Sequence, residues 1–250
     1  MKTEKEYTEG ISIKENKFLG WWDNFWYYHK WHTLAALFII AVLGICIFQM
    51  CTKVDYDMKF LYAGPKEFST ADGAQDKANI NSTLSHAITD QYGEDASADL
   101  INYVIHSDEQ INELKEEKDE NGKPVYNIGE ITAQATKNMN EFNQFCTLGD
   151  SYIFFLDPYV YDQMQAQSSK ELQRFVPLKD VLGKKPDGAY DDYAVYLVDT
   201  DFYKNNPSLQ TLPDDTLVCL HQILAFADKN YYNCYFETFK KIASISVTAQ

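Results

Sequence analysis

Three aspartates stand just past predicted strands, where carboxylates can do chemistry. Asp199-Thr200-Asp201 follows one such strand, and Asp157-Pro158-Tyr159 follows another. In open α/β sheets, ligands gather outside the carboxyl ends of the strands. Asp157, Tyr159, Asp199 and Asp201 are therefore the candidate ligand-binding residues. The carboxylates are suited to a cation or a ligand amine, and the Tyr159 ring to stacking on a sugar or a peptide. Each has a plainer alternative, since an aspartate there also caps a turn or a helix and a tyrosine there also fills a core. Asp191-Asp192 and Asp214-Asp215 carry the same two readings.

Other chemistry finds no constellation. His86, His106 and His221 are isolated, with no second histidine or cysteine at metal-ligand spacing, so no metal is expected. Ser151 follows Gly149-Asp150 without a nearby base. No G-x-S-x-G elbow, P-loop, H-E-x-x-H or dinucleotide glycine fingerprint is present, and no catalytic residue or cofactor is assigned.

The elements that must position these residues alternate along the chain. Strands are predicted over 57–64, 98–106, 152–156, 193–198 and 216–221. Helices are predicted over 74–92, 130–148, 158–166 and 230–243, from apolar positions recurring every three or four residues. Asp157 reads as a helix N-cap, with Pro158 at the first helical position. Gly149 falls where a left-handed helix cap would. Segment 107–123 is strongly charged and reads as a short helix with an exposed loop or hairpin at Asn121-Gly122, and 170–182 as a loop with a short helix. The run ADLINYVIH from Ala98 is nearly continuous in apolar character, which predicts burial on both faces. This order predicts an α/β domain with a mostly parallel sheet flanked by helices.

Ahead of the domain lies a different kind of sequence. From Thr33 to Met50 no side chain is charged. Eighteen helical residues span roughly 27 Å, close to the hydrocarbon thickness of a bilayer. Trp21, Trp22, Trp26, Tyr27, Tyr28 and Trp31 precede it, as residues of a membrane–water interface do. The reading is a polar cytoplasmic tail at 1–17, an aromatic juxtamembrane segment at 18–32, a transmembrane helix at 33–51 and an extracytoplasmic domain at 52–250. Lysines flank the span evenly, so orientation rests on the short neutral tail staying inside.

Charge separates the two parts. Residues 1–32 hold five lysines and five carboxylates, so the whole net charge of −15 belongs to residues 33–250. Such a domain repels phosphate backbones, and no nucleic-acid partner is expected. The five cysteines fit no zinc spacing and no disulfide framework. Cys146, Cys219 and Cys234 read first as small buried hydrophobes, with one bridge left open.

Two stretches carry a family resemblance. GDSYIFFLDPYVYDQMQ, followed by FVPLKDVLG, resembles the segment of extracellular solute-binding proteins in which a buried strand ends at the ligand cleft. DDYAVYLVDTDFYKNNPSLQTLPDDTLVCLHQ resembles the returning strand of such proteins and the stretch after it. With the NFWYYHKWHT entry to the span, the whole is similar to single-pass membrane proteins of clostridia-like Gram-positive bacteria. Their extracytoplasmic domain is like one lobe of a type 2 periplasmic-binding-like protein. The resemblance implies a non-enzymatic binding or interaction module in the cell membrane. Its implied partners are the lipid bilayer and a membrane transporter or envelope protein, and its alternative role is solute reception for that transporter.

Overall fold

The computed structural model describes residues 17–52, 55–168 and 173–246. All but one residue of the polar tail at 1–17, and part of the loop at 170–182, lie outside them. The chain divides into two compact units, one ending at Asp55 and the other beginning at Tyr56.

The first unit holds one helix, α1 (Lys17–Thr52), of 36 residues. The aromatic segment and the apolar span are thus continuous rather than separate elements. Residues 25–50 are long and apolar enough to cross a membrane, and the most apolar stretch buries none of its surface in protein. That is compatible with a membrane anchor or a signal sequence. One turn apart along the helix, Trp22 stacks on Trp26 at 6.3 Å and Trp21 on Phe25 at 5.7 Å.

The second unit runs β1 (Met58–Gly64), α2 (Ala71–Ala87), α3 (Thr89–Tyr92), β2 (Ala98–Val104), α4 (Asp108–Glu116), α5 (Ile128–Cys146), β3 (Ile153–Leu156), α6 (Pro158–Ala166), α7 (Leu178–Leu182), β4 (Ala194–Tyr196), α8 (Asp201–Asn205), β5 (Leu217–Leu220) and α9 (Lys229–Ile242). The predicted helix over 74–92 breaks at Ile88 into α2 and α3.

The five strands form one sheet in the order β2-β1-β3-β5-β4. It is mixed, not mostly parallel as the sequence suggested. The pairings β1–β2 and β1–β3 are parallel, whereas β5 runs antiparallel between β3 and β4. Strand direction is set by the path of the intervening chain, and no local residue pattern encodes it.

Alternation along β1 sends Phe60 and Tyr62 to one face and Leu61 and Ala63 to the other. The first face packs on α2, α7 and α9 through Leu84, Val181 and Phe239. The second packs on α5 and α6 through Phe142, Val160 and Met164. With both faces covered, β3 and β5 are buried along their whole length.

β2 corrects a second expectation. It is an edge strand, and only Ala98 and Leu100 are fully buried. Its polar positions are tied down by α2. Asp99 pairs with Lys77 at 3.0 Å, while the Ala98 and Leu100 N–H groups donate to Ser85 Oγ at 2.9 Å and Asn81 Oδ1 at 2.8 Å. The helix thereby satisfies the donors that an edge leaves free.

Candidate functional site

β1 is the point at which the strand order reverses, because β2 lies on one side of it and β3 on the other. The crevice outside the carboxyl ends of β1 and β3 is where an open sheet of this kind holds ligands. Gly64 closes β1 and Asp157 follows β3 at that spot. A Cβ on Gly64 would lie 2.7 Å from the Tyr62 hydroxyl and 3.2 Å from Asp157 Cβ, so glycine is what lets them approach.

Asp157 is only 5% exposed and every contact is specific. Oδ1 accepts the Tyr159 N–H at 2.8 Å, capping α6 as the Asp-Pro pair predicts. Oδ2 accepts the Gln110 side-chain amide at 3.0 Å. Gln110 in turn belongs to the capping box of α4, in which its Oε1 accepts the Ser107 N–H at 2.8 Å. One carboxylate thus fixes the starts of two helices from different parts of the chain.

Burial pushes the Asp157 carboxyl above its ordinary range, against the Tyr159 and Gln110 hydrogen bonds, and the charge of Asp215 adds to the rise. His106 is half-buried just past β2. Burial lowers its affinity for a proton, while Asp157 and Glu67 hold it up. The Tyr62 hydroxyl accepts the Lys66 N–H at 3.1 Å, and burial holds the phenol protonated.

Beside this cluster opens a groove of about 660 Å³ between the 65–69 loop, the end of β2, α4 and α5. Pro65, Val104, Leu114 and Ile131 supply apolar wall; Glu67, Glu130 and His106 supply charge or titratable groups. A smaller groove of about 210 Å³ shares His106 and Ala135 with it and includes Tyr159. Asn138, at the floor, donates to the Val104 carbonyl at 2.8 Å and accepts the Gln134 amide at 2.8 Å. The combined volume lies in the range of small-molecule sites, and two carboxylates on an apolar wall suit a neutral or cationic ligand with an apolar part.

No family model, curated protein or solved structure matches the chain.

Of the four residues nominated from the sequence, Tyr159 lines the smaller groove, and Asp157 stands at this edge of the sheet without lining either groove. Asp199 and Asp201 line neither groove. The Asp199 carbonyl accepts Lys204 Nζ at 2.7 Å, and Asp201 Oδ2 accepts the Ser246 N–H at 2.7 Å and its hydroxyl at 2.5 Å, fastening the chain after α9. Thr200, not an aspartate, caps α8 by accepting the Tyr203 N–H at 3.1 Å. Sequence reasoning passed over Gln110, read His106 as isolated, and weighed Asp215 with Asp214 as either a ligand or a capping residue. Their common signal was position, since each lies close to a strand end on the carboxyl side of the sheet.

The remaining candidates are structural. Tyr161 stacks on Phe175 at 5.2 Å and donates to Asp191 at 2.7 Å; Tyr190 packs edge-on against Tyr196 and donates to Asp162 at 3.1 Å. His221 sits among Tyr152, Phe154 and Phe175, with Nδ1 at 2.8 Å from the Gln222 carbonyl. Among the described residues, no three His, Cys, Asp or Glu side chains gather as a metal site, and Cys146, Cys219 and Cys234 are free thiols.

Proposed function

We propose that the protein is a membrane-held binding module whose ligand enters the groove at the carboxyl edge of the sheet. The observation that carries this reading is the groove itself, lined by His106, Glu67 and Glu130, opening past the end of β2 next to the reversal of strand order, where the Gln110–Asp157 hydrogen bond ties α4 to α6. The polar groups there are committed to holding α4 and α6 in place, which supports binding over bond-making. α1 serves as the anchor, supported by its unburied apolar length and the flanking aromatic girdle. In this reading the N-terminal tail is cytoplasmic, the α/β unit stands outside the cell, and a transporter or envelope protein is its partner in the membrane. The likeness to one lobe of a solute-binding protein favours the second reading, solute reception for such a transporter.

A thermal-shift screen of residues 55–250 against amines, amino acids, short peptides and sugars tests the groove. A bound ligand raises stability by RT ln(1 + [L]/Kd). A cationic or neutral amphipathic compound is expected to stabilise the unit. The shift should vanish in Gln134→Trp, which fills the groove, and weaken in Glu67→Lys. A shift untouched by both variants places the ligand elsewhere.

A further inference from the structure

The cover that α2 gives the free edge of β2 stops at Leu100. β2 pairs in register with β1, and the Ile105 N–H, just past its end, donates to the Gly64 carbonyl at 2.9 Å. In a parallel pair alternate residues turn their backbone groups to the neighbour. Asp99, Ile101 and Tyr103 therefore serve β1, whereas Ala98, Leu100, Asn102 and Val104 face outward. Side chains answer part of that outer row: Ser85 and Asn81 accept the Ala98 and Leu100 N–H groups, and Asn138 of α5 donates to the Val104 carbonyl. Among the described residues, none pairs with the N–H or C=O of Asn102 or with the N–H of Val104.

That gap is a template for one more strand. The N–H and C=O of a single residue leave the edge together, which is how one extended backbone docks on another. Neither Asn102 nor Val104 is fully buried. The stretch from Leu100 to Val104 holds no charge and no proline, and its register with β1 runs without a bulge. Those are the devices that keep an edge from pairing, and this one lacks them.

The open edge runs directly into the groove. Val104, which carries one of the open N–H groups, lines the groove, and so does Asn138, which holds its carbonyl. A backbone laid along 102–104 sends alternate side chains to each face of the sheet, and those nearest Val104 arrive at the groove wall. Charge selects the occupant. Glu67 and Glu130 line the groove, and among the described residues no lysine or arginine does. A second copy of the chain, with a net charge of −15, is repelled, whereas a basic peptide is attracted.

The geometry points to an extended peptide bearing lysine or arginine as the ligand, added to β2 as a further strand through Asn102 and Val104, with one cationic side chain in the groove. This rests on the groove being the binding site, and the test separates the two claims. The full chain in nanodiscs of neutral lipid is titrated against fluorescein-labelled heptapeptides with lysine at alternate positions and valine, threonine or tyrosine between them, read by anisotropy. These should bind, and the same peptides with glutamate for lysine should not. N-methylation of every second peptide residue should weaken binding about ten-fold in one of the two registers and spare the other, because one set of peptide N–H groups faces β2. Asn102→Pro removes an open donor where the preceding residue is already extended, and should weaken binding likewise. If that variant does not fold, the methylated peptides decide alone. Losses in both registers or in neither overturn the added strand, as does a basic set that fails to bind; a small amine that still stabilises the chain through Gln134 then leaves the groove standing. Binding that is lost in Asn102→Pro but indifferent to Gln134→Trp overturns the groove and the placement of the cationic side chain in it. A chain that sediments as a dimer until Asn102→Pro makes it monomeric gives the edge to a second copy and overturns the proposal.

Discussion

Gln110 Nε2 donates to Asp157 Oδ2 at 3.0 Å, across 47 residues of sequence and across the point where the strand order turns. The contact joins the start of α4 to the start of α6, and the groove opens beside it. Asp157 is consequently a structural hub of the candidate site.

Removing it should show this. Asp157→Ala loses the α6 cap and leaves the Gln110 amide unpaired, a cost of about 2 kcal/mol. Asp157→Asn keeps the cap oxygen but sets donor against donor at Gln110, and should cost less. The carboxyl is raised in the folded state, so its contribution is fully present below its ordinary value of 3.8 and is lost as pH rises through the raised value. The deficit of Asp157→Asn should therefore be larger in acid than at neutral pH, read by urea unfolding of residues 55–250.

His221 makes the opposite pH dependence. Burial lowers it from 6.5 to about 4, so on acidification the unfolded chain takes up the proton first. Stability is lost as pH falls from 6.5 to about 4, by about 3 kcal/mol at the lower end. His106, lowered for the same reason, acts in the same direction. His221→Phe, surrounded by Tyr152, Phe154 and Phe175, should flatten the curve of stability against pH over that window.

Glycine substitutions distinguish strain from contact. Gly149 and Gly183 have φ of +74° and +78°. A Cβ at Gly183 meets nothing within 4 Å, whereas one at Gly149 lies 2.8 Å from the buried Tyr152 hydroxyl. Gly183→Ala should cost about 1 kcal/mol from backbone conformation alone. Gly149→Ala should cost clearly more, measured by the same unfolding assay.

These residues show how far sequence alone reaches. The Asp157-Pro158 helix start and the left-handed Gly149 are local chemistry, and both were legible. So was the alternation of strands and helices, because apolar periodicity is local as well. The reversed direction of β5 was not legible, since it depends on how 197–216 turns back through α8. The edge position of β2 was hinted at by Asp99 and Asn102 inside an apolar run. His106 looked isolated because its neighbour Asp157 lies 51 positions away and reaches it only through the shared pairing of β1 with β2 and β3. Asp201 looked like a ligand residue because its true partner, Ser246, is equally remote.

The chain divides into two units, one holding a helix long and apolar enough to cross a membrane and the other an α/β sheet, and the proposed reading makes the first an anchor and the second a module that folds without it. Alkaline carbonate washing of membranes from cells expressing the full chain, beside the chain beginning at Asp55, tests this most directly. The full chain should stay in the membrane pellet, while the shorter chain should be soluble and unfold in one cooperative transition. A full chain released by the wash, or a shorter chain that is insoluble or unfolds without cooperativity, would contradict this division of roles.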